Sequence, residues 1–143
     1  MIETRLDKNF KIKGFFDEET STISYVVYDI TSKKCAVIDS VLDFDFSSGT
    51  IDYHNAEKII SFIEKKKLDL EWLIETHVHA DHLSASPYIQ KKLGGKIGIS
   101  EKISDIQNIF GKTFNAGTEF QRDGSQFDRL FKDNDEYKIG SIN

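Results

Sequence analysis

Three of the chain's four histidines fall within six residues, in the stretch His77-Val78-His79-Ala80-Asp81-His82. With four histidines and fourteen aspartates among 143 residues, the pattern H-x-H-x-D-H arises by chance in roughly three of ten thousand such chains. A cluster this dense restricts the fold around it, because donors that meet at one ion must be carried by elements whose ends converge. If the chain leaves a strand still extended, His77 and His79 point to one side, since side chains alternate with a period of two. Asp81 and His82 follow as the chain turns, so they can serve a second ion or orient water and the other ligands. Imidazole and carboxylate donors suit zinc, manganese, iron or nickel better than calcium or magnesium.

The flanks place this cluster between a strand and a helix. "LDLEWLIET" reads as a short strand with Leu70, Trp72 and Ile74 on one face and Glu71 on the other. After the cluster, Ser86 and Pro87 fit an N-cap and first helical position, with an earlier helix start as the alternative, and "YIQKKLGG" ends on a glycine pair as helices often do.

Elsewhere the pattern alternates strands and helices. "STISYVVYDI" and "KKCAVIDSV", separated by "TSK", are β-branched runs with hairpin chemistry. "DFDFSSGTIDYHNAEK" reads as a polar loop ending in Asn55 as helix N-cap, with His54 an exposed loop residue. Ala56, Ile59, Ile60 and Ile63 then recur at helical spacing as far as about Lys67, whose lysine run is the solvated last turn. "KIGIS" is a strand, Ser100 caps the helix "EKISDIQNIF", and "DEYKIG" is expected as a final strand. Between Gly111 and Asn134 lies a long loop tacked to the core by Phe114, Phe120, Phe127 and Phe131. The order predicts a single α/β domain over residues 1–143, with a mixed sheet and covering helices.

Composition excludes several classes of function. A formal net charge of −5 argues against nucleic-acid binding, which needs a clustered excess of Lys and Arg. No apolar run approaches the roughly 18 residues of a membrane span, and "MIETRLDKNFKIKGFF" lacks the apolar core of a secretory leader, so a cytoplasmic location is expected. Cys35 is the lone cysteine and reads as a small buried hydrophobe rather than a nucleophile.

"THVHADH" resembles the first metal-binding motif of the metallo-β-lactamase superfamily, T-H-x-H-x-D-H. The segments "TSTISYVVYD", "AVIDSVLDFD", "ETHVHADHLSASPYIQKKLGGKIGIS" and "DGSQFDRLFKDNDEYKIG" are similar to its persulfide dioxygenase and β-lactamase hydrolase-like branch, near glyoxalase II. The likeness runs from about Gly14 to Gly140. It implies the αββα sandwich of that superfamily, of which this chain resembles the N-terminal half. It also implies iron or zinc, one or two ions, held by His77 and His79 at a first position and by Asp81 and His82 at a second. Asp81 is the expected catalytic residue, holding a metal or the attacking water.

The implied substrate is a small thiol or thioester such as a glutathione derivative. Oxidation of glutathione persulfide by dioxygen is the first reading, and thioester hydrolysis of glyoxalase II type is the alternative. Two departures stand out. Ser40 occupies the place of the usual proline in "AVIDP", a change expected to alter only the rigidity of that turn. The superfamily's further ligands, a histidine in a segment like H-T-P-G-H-T and an aspartate in G-D, are absent before "YKIGSIN". The expectation is therefore about half a catalytic domain, completed by missing sequence, by a partner chain or by a homodimer that covers its exposed surface. A non-enzymatic metal-binding protein that dimerises is the remaining alternative.

Overall fold

A computed structural model describes residues 9–143; the first eight residues of the stretch read for a leader lie outside the described residues. The chain forms β1 (Phe10–Asp17), β2 (Thr22–Asp29), β3 (Lys34–Ile38), β4 (Val41–Asp45), β5 (Thr50–Asp52), α1 (His54–Lys66) and β6 (Asp69–Ile74). These are followed by β7 (Leu83–Ser84), α2 (Ser86–Leu93), β8 (Lys96–Ser100), α3 (Ile103–Thr113) and β9 (Arg129–Phe131). Six strands make a mixed sheet in the order β1-β2-β3-β6-β8-β9, antiparallel through β3 and parallel from β3 to β9. A small antiparallel sheet, β5-β4-β7, lies beside it. The mixed α/β architecture is the one expected.

Helices α1 and α2 cover one face of the large sheet. Ala56, Ile59, Ile60 and Ile63 of α1 and Ile89 of α2 pack on Val26, Tyr28, Cys35, Val37, Leu70, Leu73 and Ile97. Each fully buried aliphatic side chain there contributes on the order of 1.5–3 kcal/mol of transfer free energy. Cys35 is completely buried, and burial pushes its thiol up to about 12, which fits a core hydrophobe.

Sequence periodicity misplaced one residue of β6. Cys35 pairs with Leu70 but Ala36 pairs with Trp72, leaving Glu71 as the extra residue of a bulge. The bulge breaks the strict alternation. Leu70 and Leu73 join the core under the helices, while Trp72 packs against Phe131 and Tyr137.

Other elements also differ from expectation. The polar stretch 43–58 contains the β4–β5 hairpin, and α1 begins at His54, which stays exposed. Asn55 is therefore not the cap. Asp43 of β4 accepts the Asn55 backbone N–H at 2.9 Å and its side-chain amide at 2.6 Å, so a neighbouring strand supplies the missing acceptor. Ala85, not Ser86, is the N-cap of α2, and Pro87 lies within the first turn; Gly94 ends the helix as expected. Lys102 is the N-cap of α3, with the Ser100 hydroxyl accepting its N–H at 3.3 Å.

"DEYKIG" is not a strand. The free edge of β8 is taken by Arg129–Phe131, inside the segment read as a loop. Asp135 then accepts the Lys132 N–H at 3.0 Å and Asn134 adopts a left-handed backbone (φ 66°), so the chain turns instead of extending. Of the expected aromatic anchors, Phe127 and Phe131 pack inward, whereas Phe114 and Phe120 are exposed. β1 was not anticipated; on the sheet face away from α1 and α2, its Ile12 and Phe16 and the neighbouring Ile23 and Tyr25 of β2 are exposed.

Candidate metal centre

The parallel strands β3 and β6 end level with one another, and β8 runs two residues further beside them. The Asp39 N–H donates to the Ile74 carbonyl at 3.0 Å, and the Glu75 N–H donates to the Gly98 carbonyl at 3.0 Å. Two acidic residues therefore stand at the carboxyl ends of adjacent apolar strands, where sites gather in sheets of this kind. The histidine segment lies across these ends before β7 carries the chain back to pair with β4.

His77 and His79 do not sit on an extended strand, because β6 stops at Ile74 and residues 76–82 form bends and turns. They converge all the same. The His77 and His79 rings are 4.2 Å apart and the His79 and His82 rings 4.3 Å apart, centroid to centroid.

Each imidazole has one nitrogen committed to a neighbour. Thr76 Oγ1 donates to Asp39 Oδ2 at 2.6 Å and so is left to accept from His77 Nδ1 at 2.9 Å. His79 Nε2 donates to Asp39 Oδ1 at 3.0 Å, and His82 Nδ1 to the Leu83 carbonyl at 2.9 Å. Since an imidazole that donates through one nitrogen presents a lone pair at the other, the nitrogens left are Nε2 of His77, Nδ1 of His79 and Nε2 of His82. His82 Nε2 is buried with no hydrogen-bond partner among the described residues, and His79 Nδ1 lies 4.0 Å from Asp81 Oδ1.

Asp81 is held from the other side. The Thr22 hydroxyl of β2 donates to its Oδ2 at 2.9 Å, and this bond, followed by its own backbone N–H and the nearby imidazoles, keeps the carboxyl below the usual range. Potential ligand atoms of His79, Asp81 and His82 lie within 4.8 Å of one another, as do those of Asp39, His77 and His79. All four expected residues are thus brought together, in two adjacent groups that share His79. A donor set of imidazoles with free lone pairs and an ionisable carboxylate is one that fits a transition metal.

Asp39 and Glu75 were missed from the sequence. Glu75 is 5% exposed; Ser84 and Ser86 donate to its Oε1, while its Oε2 lies 3.2 Å from His79 Nε2 with no hydrogen-bond donor of its own. The available signal was an acidic residue directly after an apolar strand, at Asp39 in "AVIDS" and at Glu75 in "LIETH".

Two clefts flank the histidine segment. One, of about 410 Å³, is walled by Val41, Leu42, Phe44 and Phe46; the other, of about 310 Å³, by Val78, Ile97, Ile99 and Phe127. His79, His82 and Leu83 line both. Among the described residues no helix is long and apolar enough to cross a membrane.

Comparison with known proteins agrees with this geometry. The sequence profile of the Metallo-beta-lactamase superfamily matches residues 18–139. The chain is 48% identical to the probable metallo-hydrolase BURPS1710b_2304 of Burkholderia pseudomallei, over 92% of this chain and 45% of that protein. It is 42% identical to a beta-lactamase hydrolase-like protein of Xylella fastidiosa, over 99% of this chain and 32% of that protein. The crystal structure of ETHE1 from Myxococcus xanthus superposes with a TM-score of 0.64 at 21% identity, covering 92% of this chain and 44% of that one. The chain thus spans less than half the length of these relatives. Proteins of this superfamily bind metal ions, and a chain matched over residues 18–139, with its histidines gathered at the ends of the parallel strands, belongs to the metallo-β-lactamase superfamily.

Proposed function

We propose that His77, His79, Asp81 and His82 form the metal-binding end of an enzyme that oxidises a low-molecular-weight persulfide, such as glutathione persulfide. The observation that carries the metal reading is the arrangement of the three imidazoles, each fixed through one nitrogen and open at the other. The dioxygenase reading is supported by the similarity of the flanking segments to that branch of the superfamily. Iron, when bound, supplies Lewis acidity and open coordination positions for a thiolate and for dioxygen.

The chain's own residues do the positioning. Thr76 and Asp39 orient His77 and His79, and Thr22 holds Asp81 so that one carboxylate oxygen faces His79. The apolar walls of the two clefts limit water around His79 and His82, which strengthens charge interactions there, while His77 stays exposed. A second reading, thioester hydrolysis with zinc, is favoured by the name of the Burkholderia relative; in it Asp81 orients the attacking water.

The test is metal content of the purified chain beside a His77→Ala/His79→Ala variant, followed by two assays. Dioxygen consumption with glutathione persulfide supports the first reading; hydrolysis of S-lactoylglutathione without dioxygen uptake supports the second. No bound metal in the unsubstituted chain overturns both for this chain alone.

A further inference from the structure

We propose that Glu75 is a positioning residue for His79, acting with Ser84, Ser86 and Ser40 to fix which imidazole nitrogen faces a metal ion. The inference rests on the reading of His79 as a ligand, and extends it to residues that touch no ion themselves.

The argument begins with how Glu75 is held. The carboxylate is almost wholly buried at the end of β6, and two hydroxyls, Ser84 from β7 and Ser86 from the start of α2, donate to the same oxygen, Oε1. Those two bonds fix the plane of the carboxylate. Its other oxygen is thereby set 3.2 Å from His79 Nε2, and among the described residues no donor other than that imidazole is within reach.

Asp39 Oδ1 approaches the same nitrogen at 3.0 Å from the end of β3. One N–H thus faces two carboxylate oxygens carried by two neighbouring strands. Moving the proton to Nδ1 would set a bare lone pair against both oxygens; Asp39 Oδ1 would keep the Thr76 N–H, which it accepts at 2.8 Å, but the buried Glu75 Oε2 would face no donor among the described residues. The clamp therefore selects the tautomer protonated at Nε2 and holds Nδ1 toward Asp81.

Ser40 extends the clamp. It is completely buried and its hydroxyl lies 3.3 Å from that of Ser86, while its carbonyl accepts the Ala85 N–H at 3.0 Å. Proline at this place, the usual residue in the resembled branch, lacks the hydroxyl. The exchange of proline for Ser40 thus reaches beyond the stiffness of the turn and adds a fourth member to a serine-carboxylate-imidazole chain.

The test has two readouts on the 143-residue chain. Long-range ¹H–¹⁵N correlation spectra of the metal-free protein report histidine tautomers, with exposed His54 as internal reference. Zinc titration against a chelator reports affinity. The unsubstituted chain should show His79 as a single Nε2–H tautomer. Glu75→Ala should show exchange between tautomers and a zinc Kd raised by about 10–100-fold, the usual range for loss of a partner behind a metal ligand. Glu75→Gln should recover most of both, because its oxygen can still face the imidazole while its amide faces the serines. Ser84→Ala/Ser86→Ala should fall between, and Ser40→Ala should have the smallest effect.

An unchanged tautomer and unchanged Kd in Glu75→Ala would overturn the proposal, as would a loss in Glu75→Gln as large as in Glu75→Ala. If Glu75→Ala does not fold, the glutamine and double-serine variants decide by the same two readouts. If the unsubstituted chain binds no zinc, the proposed function fails for this chain, and the tautomer spectra alone judge the clamp.

Discussion

Two buried carboxylates stand at opposite ends of the central strands, and they are satisfied very differently. Asp29, at the end of β2 and fully buried, accepts four hydrogen bonds: from Thr31 N–H, Ser32 Oγ, Ser141 N–H and Ser141 Oγ, at 2.7–3.0 Å. Glu75, at the end of β6, has two donors on one oxygen and only an imidazole near the other. A carboxylate saturated by hydroxyls and amides makes a rigid joint, here tying the turn at Gly140 to the β2–β3 hairpin. One left short of donors, next to open imidazole nitrogens, marks the end of the sheet where the proposed metal site lies.

The comparison can be broken at either end. The largest effect should come from His77→Ala/His79→Ala, which is expected to abolish stoichiometric metal binding by elemental analysis. It should lower the thermal midpoint of the metal-free chain by several degrees without unfolding it, since His77 is exposed and the core lies elsewhere, while loss of the buried His79 side chain leaves Glu75 Oε2 without a donor. An equally large loss of fold would show that the histidine end is structural too.

Gly140→Ala should do the opposite. Gly140 has φ 61°, and a Cβ there would sit 1.9 Å from Ser32 Oγ and 2.8 Å from Asp29 Oδ2. Strain and displaced hydrogen bonds are expected to cost about 1–3 kcal/mol by urea denaturation, with metal affinity unchanged.

The Asp29 joint also predicts a pH dependence. Hydroxyls of Ser141 and Ser32, with the backbone N–H groups of Ser141 and Thr31, hold its carboxyl well below the usual range. A folded-state value lower than the unfolded one, about 3.9, means that the stabilisation is fully present above pH ~4 and is lost as pH falls toward the folded-state value. Melting of the unsubstituted chain should therefore weaken more steeply below pH ~4 than melting of Asp29→Asn. Parallel curves would show that the joint does not depend on charge.

The smallest effect concerns Cys35, on β3 between the two ends. Burial raises its thiol to about 12. Iodoacetamide should leave it unmodified at pH 8 in the native chain and alkylate it rapidly in urea, by mass spectrometry. Labelling under native conditions would show that the middle of the sheet opens as readily as its ends.

The histidine cluster and the elements around it were legible because their signals are local. Ala56, Ile59, Ile60 and Ile63 repeat at helical spacing, and the glycine pair at 94–95 ends α2 as it would in any context. What the sequence hid depends on partners distant along the chain. β9 is a strand only because the edge of β8 accepts it, the Glu71 bulge exists only in register with β3, and Glu75 matters only because β7 and α2 each return a serine to it. The four candidate residues were legible as a group that the fold brings together, but the nitrogen each histidine leaves open depends on Asp39, Thr76 and the Leu83 carbonyl, whose placement no spacing reveals.

The capping of α1 by Asp43 bears on the order of assembly. The first turn of this helix finds its acceptor on β4, and Asn55 reaches on to Asp17 of β1 at 3.0 Å, so the start of the helix is tied to one strand of each sheet. Thirteen residues are marginal for an isolated helix in water, and here the nucleating end is the one that depends on distant chain. A peptide spanning His54–Lys66 should show little helix by circular dichroism, and in the whole chain the helix should form together with the sheet it covers, not ahead of it.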